Sequence, residues 1–124
     1  TFYYKNGETQ YMGNAKDGQY DGVWKYFNKK GQLIREDTFK EEELITEKFY
    51  DKNGFLNSEY EWTGDNSYIL KWFYQGVLSG EGTIKNGEKE GVWRYYVWLN
   101  EYESELEKEI TFKDGKKINE KRFF

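Results

Sequence analysis

Adjacent aromatic pairs recur along this chain at Tyr3-Tyr4, Tyr26-Phe27, Phe49-Tyr50, Trp72-Phe73 and Tyr95-Tyr96, 23 residues apart each time. With 21% aromatic residues, each further pair would fall on register by chance about 4% of the time, so the spacing marks an array of small stacked units. Other columns keep the same register. Val23, Thr46, Ile69 and Val92 are all β-branched, and Lys25, Lys48, Lys71 and Arg94 are all cationic. Downstream of each pair come Leu33, Leu56, Leu78 and Leu106, then Glu36, Glu59, Glu81 and Glu109. Between pair and Leu, the third copy is one residue short and the fourth four residues longer.

A unit of this length is built from two short strands and two turns. Asn6-Gly7, Asp17-Gly18, Asp21-Gly22, Asn53-Gly54, Asn86-Gly87 and Asp114-Gly115 supply dipeptides that accept the left-handed conformations of tight hairpin turns. The stretches between them are rich in Val, Ile, Thr and aromatic residues, which favour strands. The expected fold is therefore all-β: an antiparallel meander of stacked β-hairpin repeats forming an elongated, twisted sheet of ten or eleven strands. It fills a single repeat-array domain, 1–124, of about five 23-residue hairpin units. Turns are expected near 5–8, 28–31, 51–54, 74–76 and 113–116. Residues 99–112 also carry a helical stripe (Leu99, Tyr102, Leu106, Ile110), but Glu alternates at 101, 103, 105, 107 and 109. Period two favours an extended hairpin.

A turn at Asn28–Gly31 that pairs Tyr26 with Leu33 places Trp24, Tyr26, Leu33 and Phe39 on one face. The corresponding residues are Phe49, Leu56 and Trp62; Leu70, Trp72, Leu78 and Ile84; and Trp93, Tyr95, Leu106 and Phe112. This is the expected core, with Trp24, Trp72 and Trp93 largely buried. The opposite face carries Tyr4, Phe27, Tyr50, Phe73 and Tyr96 beside Lys25, Lys48, Lys71 and Arg94, and is the candidate binding face. On that register each cation lies diagonal to a Glu of the next strand, so the same columns also read as ion pairs that hold register. A slip of one residue would exchange the faces.

Composition narrows the chemistry. Charged residues make up 34%, yet 26 aromatic rings outnumber the aliphatics, which separates the chain from disordered polyelectrolytes. The absence of Cys and His removes disulfides, thiolate and imidazole metal ligands, cysteine nucleophiles and the usual neutral-pH base. A net charge of −4 argues against nucleic acid or anionic lipid as the main ligand. No apolar stretch reaches the length of a membrane-spanning helix. Thr1 opens the chain inside an aromatic run, from which we expect that an upstream segment has been removed, export being one route. Asp17 and Asp21 suit hairpin turns better than a calcium loop, and Glu41-Glu42-Glu43 reads as a solvated turn. We expect no catalytic residues, no metal and no cofactor.

The segment Gly18-x-x-x-Gly22-x-Trp24-x-Tyr26 returns as Gly87-x-x-x-Gly91-x-Trp93-x-Tyr95. In this the chain resembles the MORN-repeat variant found in tandem in bacterial proteins, some of them labelled antitoxin-like. The resemblance covers nearly the whole chain. It weakens in the middle copies, where Glu47 and Leu70 replace Trp, and Ile45 and Tyr68 replace Gly. It implies stacked β-hairpins and a non-enzymatic protein-binding or scaffolding role, antitoxin- or immunity-like. Two alternatives stand beside it: a carbohydrate or cell-surface binding module using exposed aromatic columns, and a structural spacer that self-associates through its sheet edges.

Overall fold

The computed structural model describes residues 2–6, 9–64 and 66–123, with side chains from residue 10 onward. Eleven strands follow one another: β1 (Phe2–Asn6), β2 (Thr9–Lys16), β3 (Gln19–Phe27), β4 (Leu33–Lys40), β5 (Glu43–Tyr50), β6 (Leu56–Gly64), β7 (Ser67–Tyr74), β8 (Val77–Lys85), β9 (Glu88–Asn100), β10 (Glu103–Lys113) and β11 (Lys116–Arg122). They form one open sheet in sequence order, every neighbouring pair antiparallel. No helix occurs among the described residues. The all-β meander expected from the repeat is the observed fold, and the extended hairpin expected at 99–112 is β9 and β10 joined at 101–102.

Turn chemistry explains the connections. Asp17-Gly18, Asn86-Gly87 and Asp114-Gly115 hold both central residues at positive φ, as a two-residue type I′ turn requires. Glu41 and Glu42 do the same at φ of 51° and 71° without a glycine, an uncommon conformation for such side chains. The longer turns at Asn28 and Asp51 repeat each other 23 residues apart. In each, the side-chain Oδ1 accepts two backbone N–H groups, from Lys30 and Gln32 in one and from Asn53 and Phe55 in the other. The expected turn at 5–8 joins Asn6 to Thr9, with residues 7 and 8 outside the described set.

The register differs from the simple expectation in one recurrent way. Tyr26 pairs with Arg35, not Leu33, and Phe27 pairs with Leu33. Ile34 is the extra residue of a β-bulge, and Asn57, Ser79 and Glu107 take the same place in the later copies. Directly opposed residues share a face. Leu33, Leu56, Leu78 and Leu106 therefore lie with Phe27, Tyr50, Phe73 and Tyr96, on the face opposite Trp24 and Trp93. The core expectation is corrected accordingly.

Trp24 and Trp93 are each 2% exposed, whereas Trp72 is half-buried. The buried pair share one device. Gly22 and Gly91, at φ of +72° and +75°, interrupt β3 and β9 two residues before the indole. Each indole then lies on a glycine of the preceding strand, Gly13 or Gly82, where a Cβ would come within 2.1 or 2.0 Å of the ring. Each indole N–H donates to a backbone carbonyl beyond that glycine, Asn14 O at 3.0 Å and Thr83 O at 3.1 Å. Trp72, in the Tyr26 column, lies instead over a glycine of the following strand, Gly80. The Gly-x-Trp signature thus encodes ring-on-backbone packing, which lets a single-layered sheet bury an indole.

Candidate functional site

On one face the register threads a row of alternating charge through nine strands: Lys25, Glu36, Lys48, Glu59, Lys71, Glu81, Arg94, Glu109 and Lys121, each directly opposite the next. The bulges convert the expected diagonal relation into direct opposition. Arg94 meets Glu109 at 3.0 Å. Each opposed pair is worth about 0.2–1 kcal/mol. Lys48, Lys71 and Arg94 therefore sit between two carboxylates of their own chain, and Lys25 between Glu36 and Met12. Beside them Phe27, Tyr50, Phe73 and Tyr96 are half-buried, each opposite its Leu. Tyr4 pairs through its backbone with Tyr11, which pairs with Tyr26, so its register belongs to the other row; its side chain lies outside the described residues.

Two of these rings are tied to the charges. The Tyr50 hydroxyl donates to Glu36 Oε1. Burial, the hydrogen bond to Glu36 and that group's negative charge push the Tyr50 hydroxyl up to about 12. Burial and the Glu81 carboxylate raise Tyr96 as well. A raised folded-state value means that the unfolded chain loses the Tyr50 proton first. This stabilisation is complete below the ordinary tyrosine pKa of about 10 and is lost as pH rises through about 12. We expect Tyr50→Phe to abolish one late step in an ultraviolet tyrosine titration and to flatten the loss of stability between pH 10 and 12. An unchanged titration would show that Tyr50 is not held by Glu36.

The opposite face is interrupted by a polar cluster. Asp37, 1% exposed, lies directly across from Trp24 on one side and Glu47 on the other. Arg35 donates from Nε to Asp37 Oδ1 at 2.9 Å, and its Nη2 lies 2.8 Å from both Asp37 Oδ2 and Glu47 Oε2. Its guanidinium rests over the rings of Tyr26 and Phe49, 5.0 and 5.4 Å from their centroids. Burial and the Asp37 charge raise the Tyr26 hydroxyl, and the hydrogen bond to Asp37 raises Arg35. Glu47 also accepts the Trp62 indole N–H, at 3.2 Å. The chain of contacts Asp37–Arg35–Glu47–Trp62 holds that exposed indole in one orientation. Glu47 occupies the column position that Trp24 and Trp93 hold in other copies, and this substitution was the sequence signal for the cluster. Arg35 and Asp37 lie on the Trp24 face in the expected register as well; the bulge shifts their partners by two places, onto Tyr26 and Trp24.

A third feature lies at the strand ends near 55, 75 and 102. Tyr74 and Trp98 meet edge to face at 5.6 Å. Phe55 lies over Gly76, and Phe55, Gln75, Glu101 and Tyr102 line a small cavity of about 190 Å³. Phe55, Tyr74, Trp98, Leu99 and Tyr102 are all exposed, Tyr102 at 89%. The four-residue extension of the fourth copy builds this projection, and Glu101, Glu103 and Glu105 stand exposed around it. Among the described residues no cluster of three or more acidic groups is placed to hold a metal ion, and no helix is long and apolar enough to cross a membrane. Comparison of the sequence with protein-family models and with curated proteins returns no match.

Proposed function

We propose that this chain is a non-enzymatic protein-binding module of the MORN-variant kind that docks its partner through the aromatic projection at 98–102. The observation that carries this reading is the departure from periodicity. The only lengthened copy ends in exposed Trp98, Leu99 and Tyr102 beside Tyr74 and Phe55. Repeat arrays place insertions on their binding face, and Trp and Tyr are the residues that dominate interface energetics. The exposed carboxylates around the projection call for a partner whose apolar recess has a basic rim. An antitoxin- or immunity-like role, as the family resemblance implies, would make that partner a toxin. The alternating-charge face is less suited to the task, because its cations already oppose carboxylates of the chain.

The test is capture of a partner from the source organism by the wild-type protein and by the Trp98→Ser/Tyr102→Ser variant, followed by affinity measurement with the purified partner. We expect unfolding to change by less than about 1 kcal/mol for Tyr102→Ser alone, since its ring is in water. Affinity should fall by 2 kcal/mol or so for the double variant, the loss of two interface anchors. Undiminished affinity in the double variant would place the interface elsewhere.

A further inference from the structure

We propose that Trp62 and Tyr68 form the platform of a binding site for a neutral saccharide, at the strand ends away from the 98–102 projection. Phe55 precedes β6 and Trp62 lies near the other end of that strand, roughly 20 Å further along, so the two surfaces are separable. Trp62 is 38% exposed, although it belongs to the same face as the buried indoles. In the first and fourth copies the residue at its position, Phe39 or Phe112, has a buried Trp beside it. In the second copy that neighbour is Glu47, which instead takes the Trp62 N–H. The indole nitrogen is thus satisfied within the chain and the ring is oriented by the Arg35–Glu47 pair, while its carbon face remains open. Tyr68 stands against it at 4.8 Å between centroids and 53° between planes, forming a second wall.

The rest of the groove fits the same ligand. Trp62, Asn66, Tyr68, Asn86 and Gly87 line a cavity of about 490 Å³, within the size range of small-ligand sites and with no charged side chain among the described residues that line it. Asn66 and Asn86 hold positive φ in adjacent turns, which are tied by the Asn86 N–H donating to Asn66 O at 2.8 Å. Their carboxamides are exposed and make no hydrogen bond among the described residues. Each offers a donor and an acceptor. A pyranose ring has an apolar C–H face to lay on an indole and, at its edge, hydroxyls that donate and accept together. An apolar ligand would leave the carboxamides unused, and a nucleotide would bring phosphates to a groove with no cation among its described lining residues. A proline-rich peptide could stack on the rings, but it presents acceptors only.

The site is tested by following the five indole N–H signals in nitrogen–proton correlation spectra, the Trp62 signal being identified by its loss in Trp62→Phe. The probes are cellohexaose, xylohexaose and mannohexaose, with a galacturonic-acid hexamer and a decaproline peptide as contrasting ligands. At least one neutral hexasaccharide should shift the Trp62 signal saturably, with a Kd of about 1 mM or tighter. Trp62→Ala should weaken that binding about tenfold or more. Asn66→Gly and Asn86→Gly, which remove the carboxamide and keep the left-handed backbone, should weaken it several-fold without moving the melting temperature. Tyr102→Ser should leave it unchanged, which separates this site from the protein interface. No shift from any neutral hexasaccharide up to roughly 10 mM, saturable binding of decaproline or the acidic hexamer instead, or saccharide binding that survives Trp62→Ala would each overturn the proposal.

Discussion

Replacing Trp93 by Ala is expected to lower stability by about 3–5 kcal/mol, a loss comparable to the whole folding free energy of a small domain. The indole is 2% exposed, packs on Trp72 and Phe112, and donates to Thr83 O. The specific content lies in its glycine partner. A Cβ at Gly82 would sit 2.0 Å from the ring, so Gly82→Ala alone should cost about 1–3 kcal/mol through overpacking. In the Trp93→Ala background the same change meets open space and should be close to neutral. Urea denaturation of the two single variants and the double variant closes the cycle. Equal costs for Gly82→Ala in both backgrounds would mean that the ring does not lie on that strand.

Arg35→Ala is the second large effect. Asp37 is nearly inaccessible, and removing Arg35 leaves its carboxylate in a low-dielectric site without a counter-charge. We expect a loss of about 3 kcal/mol, the lower end for a broken buried pair, because the guanidinium itself still reaches solvent. The paired replacement Arg35→Met with Asp37→Leu should recover most of that loss, since apolar side chains of similar size often match a buried pair. If Arg35→Ala unfolded at the wild-type midpoint, Asp37 would be hydrated and the cluster would not be part of the packed face. In the folded Arg35→Ala protein, the Trp62 indole signal should also broaden or shift, because Glu47 loses the partner that fixes it.

Strand pairing was legible in the sequence to the extent that one period governed it. The 23-residue spacing and the Asn-Gly and Asp-Gly dipeptides predict a meander, and even the glutamate-rich 99–112 stretch yields to its period of two. What escaped was the residue that each copy inserts after its turn. Ile34 looks like an ordinary strand residue, and nothing in its chemistry announces a bulge, since the backbone makes it and Tyr26–Phe27 accommodate it. That single residue moves Leu33 to the opposite face and shifts Arg35 and Asp37 along the Trp24 face, onto Tyr26 and Trp24. The polar cluster escapes for another reason: Arg35 and Asp37 fall between Leu33 and Phe39 on the expected core face, but residue types alone do not show that Arg35 bridges Asp37 to Glu47 on the next strand. Trp62 falls in a column that is core in other copies, yet it is exposed. Only the Glu47 substitution distinguishes it, through a contact between adjacent strands. The 98–102 projection left a plain trace, an insertion, but not the exposure of the rings it carries.

The strict sequence order of the sheet also bears on how the molecule is made. Contacts run almost wholly between strands adjacent in the chain, with β8 and β10 the main exception. A strand leaving the ribosome therefore finds its template already extruded, and each described strand after β1 pairs with the one made just before it. The search for native pairing stays local from the first hairpin to the last, which is the topology associated with fast folding. It also makes the exposed growing edge always the newest one, covered as soon as some ten further residues emerge. Assembly has a direction, and a ribosome stalled at any repeat boundary would hold a shorter sheet of the same kind.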